Sequence, residues 1–124
     1  MNNTIFHLST CSTNQRILSE LKDYFSLFEL VNIKEQPLTK KQLETLKKMT
    51  GNYESLFSKR AQLYQTLALK NEEHNEAFYK KYLLEHYTFL RRPVIVFKNK
   101  VYLASLKKEL ETLLDALKKE TKSS

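Results

Sequence analysis

The chain has 124 residues, of which 41% are hydrophobic and 28% charged, as expected for one folded domain. One glycine and two prolines exclude collagen-like and proline-rich chains and leave few positions for the turns of an all-β protein. The formal net charge of +7 suits an anionic partner. Lysines interleaved with glutamates near the C-terminus also fit an ordinary solvated face, so the charge identifies no partner.

The first elements along the chain are predicted as a strand, a helix and a second strand. Thr4 to Leu8 is a short apolar segment typical of a buried strand. From about Thr13, apolar residues recur at helical spacing, and Leu27 to Ile33 is rich in residues that favour strands. Thr39 is then expected to cap a helix that ends at Gly51 in a left-handed conformation.

The second half of the chain is predicted to contain helices, a hairpin and a long final helix. Helices are predicted over Tyr53 to Leu67 and over roughly Asn75 to His86. The run Val94 to Phe97 and the segment Val101 to Leu103 flank a tight turn and are predicted to pair as a β-hairpin. The final helix carries an apolar stripe that consists of Leu106, Leu110, Leu113, Leu114 and Leu117. The polar tail at 120–124 is expected to fray.

This order, β-α-β, a helical insertion at about 39–88 and β-β-α, predicts an α/β protein with a mixed four-stranded sheet. The first two strands run parallel, while the last two form an antiparallel hairpin, which is the order of the thioredoxin fold. We expect residues 1–124 to form a single thioredoxin-like domain that is a monomer. The seven tyrosines and seven phenylalanines fit either an exposed interface or a core.

The cysteine content and the N-terminal sequence indicate the cellular compartment of the protein. A single cysteine, Cys11, excludes an intramolecular disulfide and therefore a secreted disulfide scaffold. The chain shows no signal peptide, and its longest strongly apolar run, Val94 to Phe97, is far too short to span a bilayer. We therefore expect a cytoplasmic protein without membrane contact. Three scattered histidines and one cysteine are a poor set of zinc ligands, so no metal site is expected.

Three segments follow one another in an order that points to a known family. They are Phe6 to Asn14 around Cys11, Leu56 to Tyr64 around Arg60, and Phe89 to Val96, which contains Arg92-Pro93. Together they resemble the arsenate reductase-related (ArsC/Spx-like) thioredoxin-fold family. That family includes glutaredoxin-dependent arsenate reductases and Spx-type transcription regulators, and the match covers nearly the whole chain.

Cys11 is the candidate nucleophile, since it lies where a strand is predicted to end and a helix to begin. Backbone N–H groups and the helix dipole there stabilise a thiolate, which is the reactive form of the side chain. The alternative is a buried structural cysteine. His7 resembles a histidine of the arsenate reductases and either favours the thiolate or is a satisfied polar group on the sheet.

The resemblance implies that Arg60 and Arg92 bind an oxyanion, because a guanidinium keeps its charge and offers a fork of donors. Arg60 fits an ordinary exposed charge equally well. In the family, the peptide bond before the matching proline is cis and lies beside the catalytic cysteine. We therefore expect a cis bond at Pro93 near Cys11, with Arg91 facing solvent.

The chain departs from the family pattern at three places. Asn14 stands where redox-active relatives carry the second cysteine of a Cys-x-x-Cys pair, which excludes a dithiol cycle within the chain. Ala104-Ser105 stand where arsenate reductases carry a further arginine, and losing one charge-assisted bond costs about 1.5–3 kcal/mol. Gln15 also replaces a basic residue. The resemblance places Ser12, Thr13, Asn14 and Pro93 among the substrate-binding residues.

Two functions remain open. The first is a thiol-dependent oxidoreductase that resembles arsenate reductases, with no bound cofactor and with glutathione or glutaredoxin as external reductant. Its substrate would be arsenate, another small oxyanion or a thiol. The second is a non-catalytic Spx-type regulatory or protein-binding module that contacts RNA polymerase through a basic helical face. Direct binding of nucleic acid is not expected, because the basic residues form no single block.

Overall fold

The computed structural model describes residues 1–122, whose contacts divide into two units. The first unit combines residues 1–32 with the chain from Arg92 onward, and the second unit consists of residues 33–91. The prediction of one domain with a helical insertion at about 39–88 stays a prediction.

A mixed four-stranded sheet forms the first unit's framework. Its strands are β1 (Thr4–His7), β2 (Glu29–Asn32), β3 (Val94–Phe97) and β4 (Lys100–Leu103), and their order across the sheet is β2-β1-β3-β4. β1 runs parallel to β2 and antiparallel to β3, and β3 runs antiparallel to β4. The predicted α/β fold with a thioredoxin-like mixed sheet is therefore confirmed, although β1 and β2 are shorter than predicted.

A two-residue turn joins β3 to β4, because Phe97 pairs directly with Lys100. Lys98 and Asn99 both adopt positive φ, 50° and 61°, which is the pattern of a type I′ turn. The twist of such a turn matches the twist of the strands that it connects. The Lys98 N–H also donates to Oδ1 of Asn3 at 2.9 Å, which fixes the turn to the N-terminal segment. The predicted hairpin is confirmed.

Two helices, α1 (Ser12–Leu21) and α5 (Lys107–Lys122), bury apolar faces in the core of the first unit. Each buried aliphatic side chain contributes roughly 1.5–3 kcal/mol relative to an exposed one. The core residues from the helices are Ile17, Leu21, Leu110, Leu113 and Leu117, and the sheet adds Ile5, Ile95, Phe97 and Tyr102. Most of the predicted stripe of α5 is therefore core, while Leu106 precedes the helix and is 42% exposed.

Glu120 to Lys122 belong to α5, and the predicted fraying of the tail at 120–124 stays a prediction. Burial of Leu117 anchors the last turns of the helix, and Glu120 forms an ion pair with Lys98 of the hairpin turn. Ser123 and Ser124 lie outside the described residues.

The second unit contains α2 (Lys40–Thr50), α3 (Gln62–Thr66) and α4 (Glu76–Glu85). α2 begins with a capping box, in which Oγ1 of Thr39 accepts from the Gln42 N–H at 3.1 Å. The Gln42 side chain in turn accepts from the Thr39 N–H at 3.0 Å. The helix ends at Gly51, whose φ of 100° lies in the left-handed region. Both predicted helix ends are confirmed.

The predicted helix over Tyr53 to Leu67 is wrong. The range instead forms a short 3₁₀ turn, an extended residue at Phe57 and the brief helix α3. Phe57 pairs with Leu90 in an antiparallel bridge, and the neighbouring Ser58 N–H donates to the Phe89 C=O at 2.7 Å. These long-range backbone bonds replace the local ones that a continuous helix would have made.

Aromatic side chains fill the core of the second unit. The Phe57 ring stacks on Phe89 and meets Tyr79 edge-on, with 5.2 Å between ring centroids in each case. Phe78 and Tyr82 extend the cluster at 5.0 Å from each other. All five rings are buried, so they are core residues of this unit and not an exposed interface.

Candidate active site

Cys11 lies at the junction between the sheet and a helix. β1 ends at His7, a short loop follows, and Cys11 is the N-cap of α1 with extended backbone angles, φ −91° and ψ 122°. The first N–H groups of a helix have no partners within the helix, so a side chain at this position meets donors that are free to bind it. The thiol is partly exposed, which leaves it accessible to a small reagent.

The environment of Cys11 favours the thiolate. Partial burial by itself raises the pKa of the thiol, but the backbone N–H groups of Asn14 and Thr13 lower it. The Arg92 guanidinium lowers it further, both by its charge and as a hydrogen-bond donor. The net result is a pKa of Cys11 below its ordinary value. A thiol of this kind is a better nucleophile at neutral pH than a free cysteine, because more of it is ionised.

Arg92 occupies the position just before β3. The Arg92-Pro93 peptide bond is cis, as predicted, and Pro93 is buried. The C=O of Pro93 accepts from the Ala104 N–H at 3.3 Å, which ties this segment to the end of β4. The structure therefore brings Arg92 and Cys11 together within the first unit, as the sequence implied.

The first turn of α1 contains the other predicted substrate-binding residues. Ser12 and Thr13 are exposed, whereas the Asn14 side chain is completely buried. Its Oδ1 accepts from the Leu8 N–H at 2.9 Å. The side chain of Asn14 is thus turned to the protein interior, and the residue faces the thiol through its backbone N–H only. That Asn14 binds substrate stays a prediction, with its backbone N–H as the group available for it.

His7 lies in the first unit and Arg60 in the second. His7 is half-buried at the end of β1, where it pairs with Asn32 of β2. Its effect on the thiol stays a prediction. Arg60 is exposed in the turn that precedes α3, within the second unit, and its role in oxyanion binding likewise stays a prediction.

Arg91 is the residue that sequence reasoning misjudged. It was expected to face solvent, but it is half-buried, and its Nε donates to the Phe57 C=O at 3.1 Å. Its backbone N–H donates to the Leu56 C=O at 2.7 Å. These two bonds of Arg91 therefore fix the segment Leu56-Phe57, which precedes Arg60 in the chain. The pairing of Phe57 with Leu90 joins segments far apart in the chain, so no local sequence signal could have revealed it.

A cavity, possible metal ligands and possible membrane spans are the other features of the described residues that bear on function. A cavity of about 180 Å³ in the second unit is lined mainly by apolar side chains, with His86 among them, and none of the predicted site residues lines it. Within residues 1–122, no three His, Cys, Asp or Glu side chains are grouped to hold a metal ion. Over the same residues, no helix combines the length and apolar character that a membrane crossing requires.

Alkylation of Cys11 tests the thiolate directly. Because the pKa of the thiol is lower in the folded than in the unfolded chain, iodoacetamide should label the folded protein faster than a free cysteine at neutral pH. The labelling rate should also reach its plateau at a lower pH. By linkage, the thiolate stabilises the fold fully above the ordinary thiol pKa, and this stabilisation is lost as the pH falls through the folded pKa. Protection at neutral pH, with labelling only after denaturation, would instead identify a buried structural thiol.

Comparison with known proteins places the chain in a family. The ArsC family model matches residues 6–115. The chain is 27% identical over 112 residues to the global transcriptional regulator Spx of Streptococcus agalactiae, which covers 90% of this chain and 82% of that protein. The fold is similar to that of arsenate reductase from Vibrio cholerae, with a TM-score of 0.73, 19% identity, and coverage of 93% of this chain and 97% of that one. It is also similar to an arsenate reductase (ArsC) related protein from Brucella melitensis, with a TM-score of 0.67, 19% identity, and coverage of 90% and 93%. The predicted resemblance is confirmed, and the chain belongs to the ArsC family.

Proposed function

We propose that this protein is a thiol-dependent oxidoreductase of the arsenate reductase type, with Cys11 as its nucleophile. The observation that carries the proposal is the position of Cys11 at the start of α1, where two backbone N–H groups and Arg92 lower the pKa of the thiol. A reactive thiolate beside a guanidinium is what attack on an anionic oxide requires, because the guanidinium offsets the repulsion between two negative charges.

The chemistry balances with two external thiols. The Cys11 thiolate attacks the arsenic atom of arsenate, an As–S bond forms, and one arsenate oxygen takes up protons and leaves as water. External thiols then release arsenite, so arsenic(V) becomes arsenic(III) while two thiols become one disulfide. An outside donor such as glutathione with glutaredoxin is needed, because Cys11 is the only cysteine of the chain. In this proposal the protein works in the cytoplasm as a monomer.

Arg92 is the proposed oxyanion ligand, together with the exposed first turn of α1 at Ser12 and Thr13; for Arg60, oxyanion binding rests on the family resemblance alone. A guanidinium binds two oxygens of a tetrahedral oxyanion at once. One ligand of the arsenate reductase pattern is missing, since Ala104 is buried and apolar and Ser105 is neutral. We therefore expect arsenate to bind weakly and to be reduced slowly.

A second candidate is an Spx-type regulatory module that contacts RNA polymerase without turning over a substrate. Its support is the 27% identity to the Streptococcus agalactiae regulator over 112 residues, together with the net charge of +7. The lone cysteine counts against it, because a thiol switch within one chain needs a second cysteine.

Two assays on the same preparation separate these functions. With arsenate, glutathione, glutaredoxin and its reductase supplied, NADPH consumption should exceed the rate without the protein and should saturate only weakly with arsenate. Efficient, saturable turnover would show that the missing arginine is dispensable. No turnover with any thiol donor, together with retention of RNA polymerase in a pull-down, would favour the regulatory module.

A further inference from the structure

Two neighbouring side-chain amides bind two consecutive backbone groups of the loop that precedes the thiol. Oδ1 of Asn14 accepts from the Leu8 N–H at 2.9 Å, and Nε2 of Gln15 donates to the Ser9 C=O at 2.7 Å. Both amides belong to the first turn of α1, so they connect the loop from Leu8 to Cys11 to the helix whose N–H groups face the thiol.

Backbone bonds close the same loop. The Cys11 N–H donates to the Leu8 C=O at 3.2 Å, and the Gln15 N–H donates to the Cys11 C=O at 3.0 Å. From the neighbouring strand β2, Nδ2 of Asn32 donates to Oγ of Ser9 at 3.0 Å. The loop is therefore fixed at its start, in its middle and at Cys11 itself.

The burial of Asn14 shows that its amide is there for this bond and not for packing. The side chain is 0% exposed, and its Nδ2 has no acceptor among the described residues. An unpaired buried N–H group is destabilising, and an apolar side chain of similar size would avoid that penalty. The bond from Leu8 to Oδ1 is the contact that only a polar side chain supplies.

We propose that Asn14 and Gln15 are positioning residues that form an amide clamp, which holds the loop Leu8 to Cys11 so that the thiol faces the N–H groups of the first turn of α1. The inference rests on the proposed function of Cys11 as nucleophile. Asn14 and Gln15 are also two of the positions where the chain departs from the family pattern. A single thiol is thus kept reactive by fixed backbone geometry, without a second cysteine or a further cation at those positions.

The pH dependence of Cys11 alkylation in the folded chain tests the clamp. Asn14→Leu keeps the side-chain volume but removes the acceptor, and Gln15→Ala removes an exposed hydrogen bond that the core does not need. At a pH below the wild-type midpoint, alkylation should slow about tenfold in Asn14→Leu and about threefold in Gln15→Ala, because less of the thiol is ionised. The matched control is Leu21→Ala, which is equally buried on α1 but outside the loop, and which should lower Tm while leaving the pH profile unchanged.

The outcomes separate the clamp from the proposed function. A wild-type profile like that of a free cysteine overturns both. If the wild-type alkylation profile lies at low pH and is unchanged in Asn14→Leu and Gln15→Ala, the clamp alone is overturned. The clamp alone is also overturned if Leu21→Ala moves the alkylation profile as far as the clamp variants do. If Asn14→Leu does not fold, Gln15→Ala decides by itself: a slower reaction supports the clamp and an unchanged one overturns it.

Discussion

Replacement of Cys11 by serine is expected to abolish arsenate turnover. A serine hydroxyl does not ionise near neutral pH, so the N–H groups of Thr13 and Asn14 and the Arg92 guanidinium have no anion to stabilise. The loss should be on the order of a thousandfold or more, because the variant lacks the group that forms the covalent bond. The measurement is NADPH consumption coupled to glutaredoxin, with Cys11→Ser and wild type assayed side by side.

Ser19→Ala is the control for this substitution, since it also changes a small polar side chain on the α1 segment but lies on the exposed face, where Oγ donates to the Arg16 C=O. It should turn over arsenate at the wild-type rate. Activity that persists in Cys11→Ser, in a protein whose fold is verified by circular dichroism, would show that the thiol is not the nucleophile.

Replacement of Arg92 by alanine should lower turnover on the order of tenfold to a hundredfold, provided that its contact acts mainly in the transition state. The same change removes the positive charge and the donor that lower the pKa of Cys11, so the alkylation profile should move to higher pH. Arg92→Lys should restore the positive charge but not the paired N–H donors of the guanidinium. It should therefore bring the alkylation profile closer to that of the wild type than it brings arsenate turnover. Both readouts are measured on the same three proteins.

Arg16→Ala is the control for Arg92→Ala, because it also removes one positive charge. Arg16 is 68% exposed and lies 3.9 Å from Glu20 on α1, in an ion pair worth little to stability. It should leave turnover and the alkylation profile unchanged. An Arg92→Ala variant that matches the wild type in both measurements would remove Arg92 from the proposed site, and an equal loss in Arg16→Ala would point to a general effect of net charge.

Features that depend on short stretches of chain were predictable from the sequence. Thr39 and Gly51 mark the ends of α2 because a cap uses residues within one turn of the helix. The turn at Lys98 and Asn99 lies between two apolar runs and therefore gives a hairpin. The position of Cys11 at a helix start was predictable for the same reason, since the change of apolar period falls directly after it.

The amino-acid sequence by itself determined the order of the strands and of α1, α2 and α5, the mixed sheet and the place of the thiol, because capping, turn chemistry and apolar periodicity act between near neighbours. Only the tertiary structure decided the extended conformation of Phe57, the inward bond of Arg91 and the burial of Asn14. The Arg91 side chain donates to the Phe57 C=O across 34 residues of chain, and Phe57 pairs with Leu90 in a backbone bridge. Such bonds outweigh helix preferences of less than about 1 kcal/mol per residue. Asn14 has a sequence position suited to substrate, but the Leu8 N–H at the end of β1 needed an acceptor, and that need turned its side chain inward.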